Sequence, residues 1–439
     1  MTRASRVGVV VLDYNGGELT LGCLRRLVET DWSPEQFEVV LVDNGSTHPI
    51  TDRVRADLPS VRVVRSDTNR GYAGGMNLGL GHLNAAEYVA LMNNDVSVAP
   101  GWLAPLVRTL EGDGSLGAAC PKILLDTRYL EVRIESEPTR RGRGDSRELG
   151  VRVSGVHVDG DDMWRLSRPR HGFWGPEVGD PDEPTYEWTS GRATLLVPVG
   201  EPLRDVCELR LAADRPTKVQ IACGGHEVQY VVGGTPEWYP VSLDGVPYDV
   251  INNAGSVLTA DGYGADRGYL ERDEGQYDAE DDVFAWCGAT VLLRTDYLAD
   301  AGLFDERLFL YYEDLELSWR GRERGWRYRY VPDSVVRHVH TASTVEASER
   351  FVYYNERNRL LTLTRHAPPR VVARALARYL LVTASYARRD LMSPLLHHQT
   401  ARPTVPVRRL RALAGYIAAA PAMLRARNDP PRRAGVRAR

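Results

Sequence analysis

The sequence predicts an α/β protein with a mixed sheet, an inserted all-β domain and C-terminal helices. Three observations predict this. Apolar, β-branched runs alternate with helical segments up to Leu125; short alternating runs replace them; strand–helix alternation returns near Asp249. A chain of 439 residues exceeds one ordinary core, so two or three domains are expected.

The run VGVVVL from Val7 is apolar without alternation, as in a strand buried on both faces. Leu21, Leu24, Leu27 and Val28 share one face of a helix expected over 20–29. EVVLV over 38–42 is a second buried strand and ends in Asp43-Asn44-Gly45-Ser46. A third strand is expected over 61–65 and a helix over 77–84. YVALM over 88–92 is a fourth strand and ends in Asn93-Asn94-Asp95. Polar loops thus gather at strand C-termini, the edge where open α/β sheets bind ligands.

From Arg128 to Gly245 the runs YLEVRIE, VRVSGVHV, ATLLVPV, CELRLA, TKVQIA and HEVQYVV are separated by Gly, Pro and Asp. That is the pattern of an antiparallel sandwich or jelly roll. Afterwards come the strand within 283–293, helices over 296–301 and 315–324, and a strand over 328–331. Basic amphipathic helices are expected from Val352, interrupted by Pro368-Pro369, Pro394 and Pro403. The expected segments are 1–126, 127–247, 248–365 and 366–439, with the last ten residues disordered.

The apolar fraction of 43% and charged fraction of 26% are those of a soluble globular protein. The net charge of -4 conceals a division. Residues 365–439 hold 16 Arg, no Lys and two acids, a charge of +14, which leaves -4 - 14 = -18 elsewhere. A basic tail on an acidic body is expected to meet an anionic surface; the plainer alternative is helices packed on the body with a solvated tail. No nucleic-acid partner is expected. The five cysteines are odd in number and form no CxxC, which fits reduced thiols in a cytoplasmic protein. The N-terminus does not read as a signal peptide, and no apolar run approaches the ~20 residues of a membrane span.

Five clusters carry chemistry. Asp43-Asn44-Gly45-Ser46 places a carboxylate and an amide where a ribose or base could bind, or is an ordinary Asx turn. Asn69 to Gly79 contains Gly71, Gly74 and Asn77 before a helix, where backbone N–H groups favour phosphate oxygens. Asn94 and Asp95 offer the oxygen ligands that Mg²⁺ and Mn²⁺ prefer; a second ligand is needed, and His338 or His340 can supply it. Glu313 and Asp314 lie at a helix start, where the helix dipole favours negative charge and one acid can serve as a base. Arg357, in YNERNRL, can clamp a diphosphate or lie on a solvated helix face.

The order of these clusters resembles the family 2 glycosyltransferases of GT-A fold, in particular actinobacterial rhamnosyltransferase-like members. The resemblance covers about residues 6–125 and 248–365 and rests on VDNGS, NRGYAGGMNLG, NND, Pro121-Lys122, Cys287-Gly288-Ala289, GLFDE, LYYEDLELSWR and HVHTAS before YNERNRL. It implies a GT-A Rossmann-like sheet, nucleoside contact by Asp43, a metal-binding Asp95 in a DxD-type motif whose first place is Asn93, and Asp314 as catalytic base beside Glu313. It implies His338 as the metal-binding histidine, because Ser343 follows at the family's spacing, with His340 as the fallback. Residues 249–278, with Trp286 and Gly288, are expected on the acceptor side.

The expected reaction is inverting transfer of a sugar, with rhamnose the leading candidate, from a nucleoside-diphosphate donor to a hydroxyl of a glycan, lipid-linked or secondary-metabolite acceptor. Metal and arginines would neutralise the leaving diphosphate. Two rivals remain. A sugar-phosphate nucleotidylyltransferase would carry a basic glycine-rich N-terminal loop, which Asp13-Tyr14-Asn15-Gly16-Gly17 is not. A non-catalytic carbohydrate-binding protein would stack sugars on Trp164, Trp174, Trp188 and Trp238, but aromatic core packing accounts for them better.

Overall fold

Four parallel strands form one half of the main sheet: β1 (Val7–Asp13), β2 (Phe37–Asp43), β3 (Val61–Arg65) and β4 (Tyr88–Asn93), in the spatial order β4-β1-β2-β3. Asp13 pairs with Asp43, and Leu12 with Asn93, so the polar strand ends lie level. The other half is mixed. It contains β5 (Val96–Val98), β6 (Leu116–Leu125), β7 (Asp281–Val283), β8 (Thr290–Arg294) and β9 (Arg327–His338). Strand β8 is antiparallel to β4 and β6, whereas β9 is parallel to β6 and antiparallel to β5 and β7. The computed structural model describes residues 6–140, 147–177, 185–200, 206–340, 348–396 and 403–428. Ser343 and the tail beyond Asn428 lie outside the described residues.

Helices α1 (Glu18–Val28), α2 (Thr51–Asp57), α3 (Gly71–Leu80) and α4 (Leu103–Gly112) cover the sheet. Val9, Val11, Leu21, Leu24, Leu27, Leu106 and Leu110 are fully buried in its core. Each such side chain contributes about 2 kcal/mol relative to exposure. Helix α3 begins at Gly71, inside the glycine-rich segment, and not at Asn77; it ends at Leu80. Two glycines explain this. A Cβ on Gly75 would lie 2.4 Å from Leu12 Cδ1, and one on Gly79 would lie 2.3 Å from Val10 Cγ1. These glycines let the helix lie close against β1. Strand β9 runs on to His338, past the expected 328–331, with a register shift between Val331 and Val335.

Helices α5 (Thr295–Ala301), α6 (Glu313–Glu323), α7 (Glu349–His366), α8 (Pro369–Ala387), α9 (Ser393–Leu396) and α10 (Thr404–Asn428) follow. Leu360, Leu361 and Leu363 of α7 join Tyr379 of α8 and Tyr416 and Met423 of α10 in a separate apolar cluster.

The chain divides into two compact units: residues 1–126, 252–269 and 274–439, and residues 127–251 with 270–273. The second unit returns four residues beyond the expected 247 and recaptures a short segment, because Leu270 N–H donates to Ile251 O and Ile251 N–H to Glu271 O, both at 2.9 Å. Its described strands form one antiparallel sheet of nine, with Tyr186–Val199 central. Val132, Ile134, Val153, Val156, Leu195 and Leu209 are fully buried in its core; Val132 and Ile134 follow strand alternation, and a register shift between Val153 and Gly155 lets Val153 and Val156 share that core.

Candidate functional site

The polar ends of β1, β2 and β4 open onto a cavity of about 380 Å³. Asn44, Asn69 and Gly71 line it from the β2 and α3 side. They are locked together: Asn44 Nδ2 donates to Gly71 O at 3.0 Å, Arg70 N–H donates to Asn44 Oδ1 at 3.0 Å, and Gly71 N–H donates to Asn69 Oδ1 at 2.8 Å. Gly71 has φ +70, and a Cβ there would lie 2.3 Å from Phe309 O, so only glycine fits.

Asp95 follows β4 and is 8% exposed. His338 ends β9, and its Nε2 lies 3.1 Å from Asp95 Oδ1. Its Nδ1 lies 2.8 Å from Asn252 Oδ1. An amide oxygen only accepts, so Nδ1 donates to Asn252 and the ring is fixed with Nε2 facing the Asp95 carboxylate. Burial pushes the Asp95 carboxyl up, and the imidazoles of His338 and His340 more than offset it, so the group sits below the usual carboxylate range. A carboxylate oxygen and an oriented imidazole nitrogen, both facing the cavity, fit a divalent cation, and the Asn252 contact is the outer support that such a histidine needs. Among the described residues no group of three or more His, Cys, Asp and Glu forms a closed cage. His340 also lines the cavity and meets Tyr269 OH at 3.2 Å.

Glu313 and Asp314 open α6 on the far wall of the same cavity. The loop before them is strained: Phe309, Tyr311 and Tyr312 have φ of 64, 65 and 72. Such angles cost bulky residues free energy, and the side chain of Asn358 holds the loop in place. Its Nδ2 reaches Leu308 O at 2.7 Å, Leu310 O at 2.9 Å and Tyr311 O at 2.8 Å. Asp314 Oδ2 accepts from Gly288 N–H at 2.9 Å, and Oδ1 from Leu315 N–H at 2.7 Å. Burial raises the Asp314 carboxyl to about 6, against the pull of these N–H donors. Glu313 is 5% exposed, and its Oε2 has no hydrogen-bond partner among the described residues. Burial and the neighbouring Asp314 charge push its carboxyl well up. A carboxyl raised to about 6 thus shares a cavity with the Asp95–His338 pair.

The description of Glycosyl transferase family 2 matches residues 9–162, and that of Glycosyltransferase like family 2 matches residues 251–359. The chain carries family 2 glycosyltransferase domains. Glycosyltransferase AglE of Haloferax volcanii is 27% identical over 111 residues, 25% of this chain and 36% of that protein. The chain therefore spans about a third of that relative's length. Three solved structures are similar in backbone at 14% identity. GalNAc-T7 with UDP, GalNAc and Mn²⁺ has TM-score 0.42, with 84% of this chain and 52% of that chain covered. The mannosyltransferase PcManGT from Pyrobaculum calidifontis, in complex with GDP-Man and Mn²⁺, has TM-score 0.42, covering 95% and 88%. S. aureus TarS residues 1–349 has TM-score 0.41, covering 95% and 82%.

Several expected residues lie off the cavity. Asp43 is fully buried, and Arg65 Nη1 donates to its Oδ2 at 2.8 Å. Gly74 lies within α3 against Arg70. Asn77 donates to Phe304 O at 3.0 Å and bridges α3 to the segment before α6. Arg357 is not among the residues lining the cavity: its Nη1 donates to Arg307 O at 3.0 Å, and Arg350 and Asn355, seven and two residues earlier, line the cavity instead. Trp286 is fully buried in the wall, while Gly288 lines the cavity. Sequence reasoning missed Asp13, whose Oδ1 accepts from Thr20 Oγ1 at 2.6 Å and from Asn94 Nδ2 at 2.9 Å, and so positions Asn94. It also missed Asn252 and Asn358. The available signal was chemical only: an acid or amide next to an already suspected polar loop.

Proposed function

We propose that this protein is an inverting glycosyltransferase that moves a sugar from a nucleoside-diphosphate donor to a hydroxyl group of a glycan, lipid-linked or secondary-metabolite acceptor. The observation that carries this reading is that Asp314 and the Asp95–His338 pair line one cavity. Asn44, Asn69, Gly71 and Asn94 form the donor side, and the donor's diphosphate lies towards Asp95. Asp95 and His338 hold a divalent cation, Mg²⁺ or Mn²⁺, which when bound supplies positive charge beside the leaving diphosphate. Asp314 accepts the acceptor's hydroxyl proton as the acceptor oxygen bonds to the anomeric carbon. The bond from that carbon to the diphosphate oxygen breaks, and its electron pair leaves with the nucleoside diphosphate. One displacement from the opposite face inverts the configuration. The Gly288 and Leu315 N–H groups fix both carboxylate oxygens, so the base needs little reorganisation during attack.

The test is a panel of nucleotide-sugars, headed by deoxythymidine-diphosphate rhamnose, with the full chain and Mn²⁺ or Mg²⁺. Release of nucleoside diphosphate with one donor, lost with EDTA and in Asp95→Ala, supports the reading. Pyrophosphate release from a nucleoside triphosphate and a sugar phosphate would replace it with nucleotidyl transfer. Donor binding without any turnover would reduce the protein to a binding module.

A further inference from the structure

Helix α10 is apolar on two opposite faces. Its inner face buries Ala412, Tyr416 and Met423 against the neighbouring helices. Its outer face repeats Val407, Leu410, Ala414, Ile417, Pro421 and Leu424 at three- and four-residue spacing, which is one helical stripe. That stripe is open to solvent: Leu410 is 53%, Ile417 61% and Leu424 51% exposed. Helix α8 continues the pattern with Leu380 and Leu381, the latter 72% exposed, and Leu395 and Leu396 of α9 are 65% and 74% exposed. A soluble helix normally turns polar residues outward, so apolar surface of this extent calls for a covering.

The charge on these helices identifies the covering. Residues 369–396 and 403–428 contain ten arginines, no lysine and a single acid, Asp390. Arg409 is engaged with Glu356, and Arg378 with Asp261. Arg370, Arg374, Arg388 and Arg425 are exposed on the same helices as the apolar stripe. A second copy of this face would set arginine against arginine. Among the described residues no helix is long and apolar enough to cross a membrane. Leucines and an isoleucine interleaved with snorkelling arginines suit a helix lying in the plane of a bilayer whose lipids are anionic.

We propose that α10 and the outer faces of α8 and α9 seat this protein on an anionic lipid bilayer, with the apolar stripe among the acyl chains and the arginines at the phosphates. Binding then depends on both parts: acidic lipid attracts, and the stripe inserts. The experiment is sedimentation of the full chain with phosphatidylcholine vesicles, with and without phosphatidylglycerol, at low and high salt. The partner variant is L410S/I417S, whose sites are exposed and outside the cavity, with thermal melting to show that it folds. We expect at least about tenfold greater partitioning onto the acidic vesicles, weakened by salt, and at least a tenfold loss in the variant with donor turnover in solution unchanged. Equal or absent partitioning on the two vesicle types overturns the proposal, as does a double variant that binds like the parent. A concentration-dependent dimer in sedimentation velocity, abolished by the same variant, overturns it in favour of a second copy.

Discussion

Replacing Asp314 with Asn sets function against stability. The carboxyl rises from 3.8 to about 6, chiefly through burial, although two backbone N–H groups hold its oxygens. A raised folded value means that the folded protein binds this proton more tightly than the unfolded chain. Stability is therefore lost as pH rises from the unfolded towards the folded value, and the loss is complete above about 6. A shift of ~2 units corresponds to ~3 kcal/mol of strain once the group is ionised. Asn removes that penalty but keeps one acceptor oxygen, so one N–H loses its partner at a cost of about 1 kcal/mol. The variant should thus gain ~2 kcal/mol in mildly alkaline buffer, on the order of 3 °C in Tm for a unit of this size. The gain should shrink on acidification and turn into a loss of about 1 kcal/mol near the unfolded value, where the parent carboxyl is protonated in both states and only the unpaired N–H remains.

Turnover should move the other way. Loss of a general base lowers kcat by roughly 10²- to 10⁴-fold, while donor binding, measured by thermal shift, stays near normal. The parent's kcat/KM should fall as pH drops through about 6, because the base is then protonated; the variant's residual rate should lack that limb. Melting curves and rates across pH test both halves on the same samples. Turnover within tenfold of the parent would refute the base assignment. A variant less stable than the parent at alkaline pH would refute the burial account of the raised carboxyl.

His338→Ala and Asn252→Ala should both weaken the Mn²⁺ dependence of donor binding, by more than tenfold for the ligand and about tenfold for its support; titrating Mn²⁺ in a donor thermal-shift assay measures each, and an unchanged midpoint removes the pair from the cation site. Asn358→Ala leaves the carbonyls of Leu308, Leu310 and Tyr311 without their amide donor, so we expect a loss of ~2 kcal/mol and a kcat reduced more than donor affinity, read by urea unfolding and initial rates. Glu316 is fully buried between Arg320 at 2.8 Å, Arg365 at 2.6 Å and His366 at 3.1 Å. Burial opposes its charge, but these cations win and hold the carboxyl far below its ordinary range. Glu316→Gln should therefore cost ~3 kcal/mol by stranding the arginines. The lowered carboxyl stabilises above its unfolded value of 4.5 and is lost as pH falls through its folded one. His366, raised by Glu316 and Glu323 against burial, stabilises below its unfolded 6.5 and is lost as pH rises through its folded value. The variant should flatten both limbs in urea midpoints measured against pH.

The parallel half of the sheet was legible because its signal is local: a fully buried stretch of strand must be apolar throughout, and VGVVVL, VVLV and YVALM are. The chemical residues were legible by type for the same reason, since acids and amides at strand ends have few other uses. Their partners were not. His338 and Asn252 lie 86 positions apart in the chain, and their 2.8 Å contact depends on how β9 ends beside the segment after the β unit. No periodicity encodes that. Arg357, read as a diphosphate clamp or a residue of a solvated helix face, instead donates to Asn358 Oδ1 at 2.6 Å and to the Arg307 carbonyl at 3.0 Å. The loop before α6 is the most instructive case. Positive φ is normally announced by glycine, yet Phe309, Tyr311 and Tyr312 adopt it without one. What holds them there is a single amide on α7, 46 residues after Tyr312 in the chain, aimed at three carbonyls. Asn358 had appeared only as a letter in YNERNRL. Its value lies in having two N–H hydrogens and a length that a helix face can point across a gap, and that makes the position of Asp314 depend on α7.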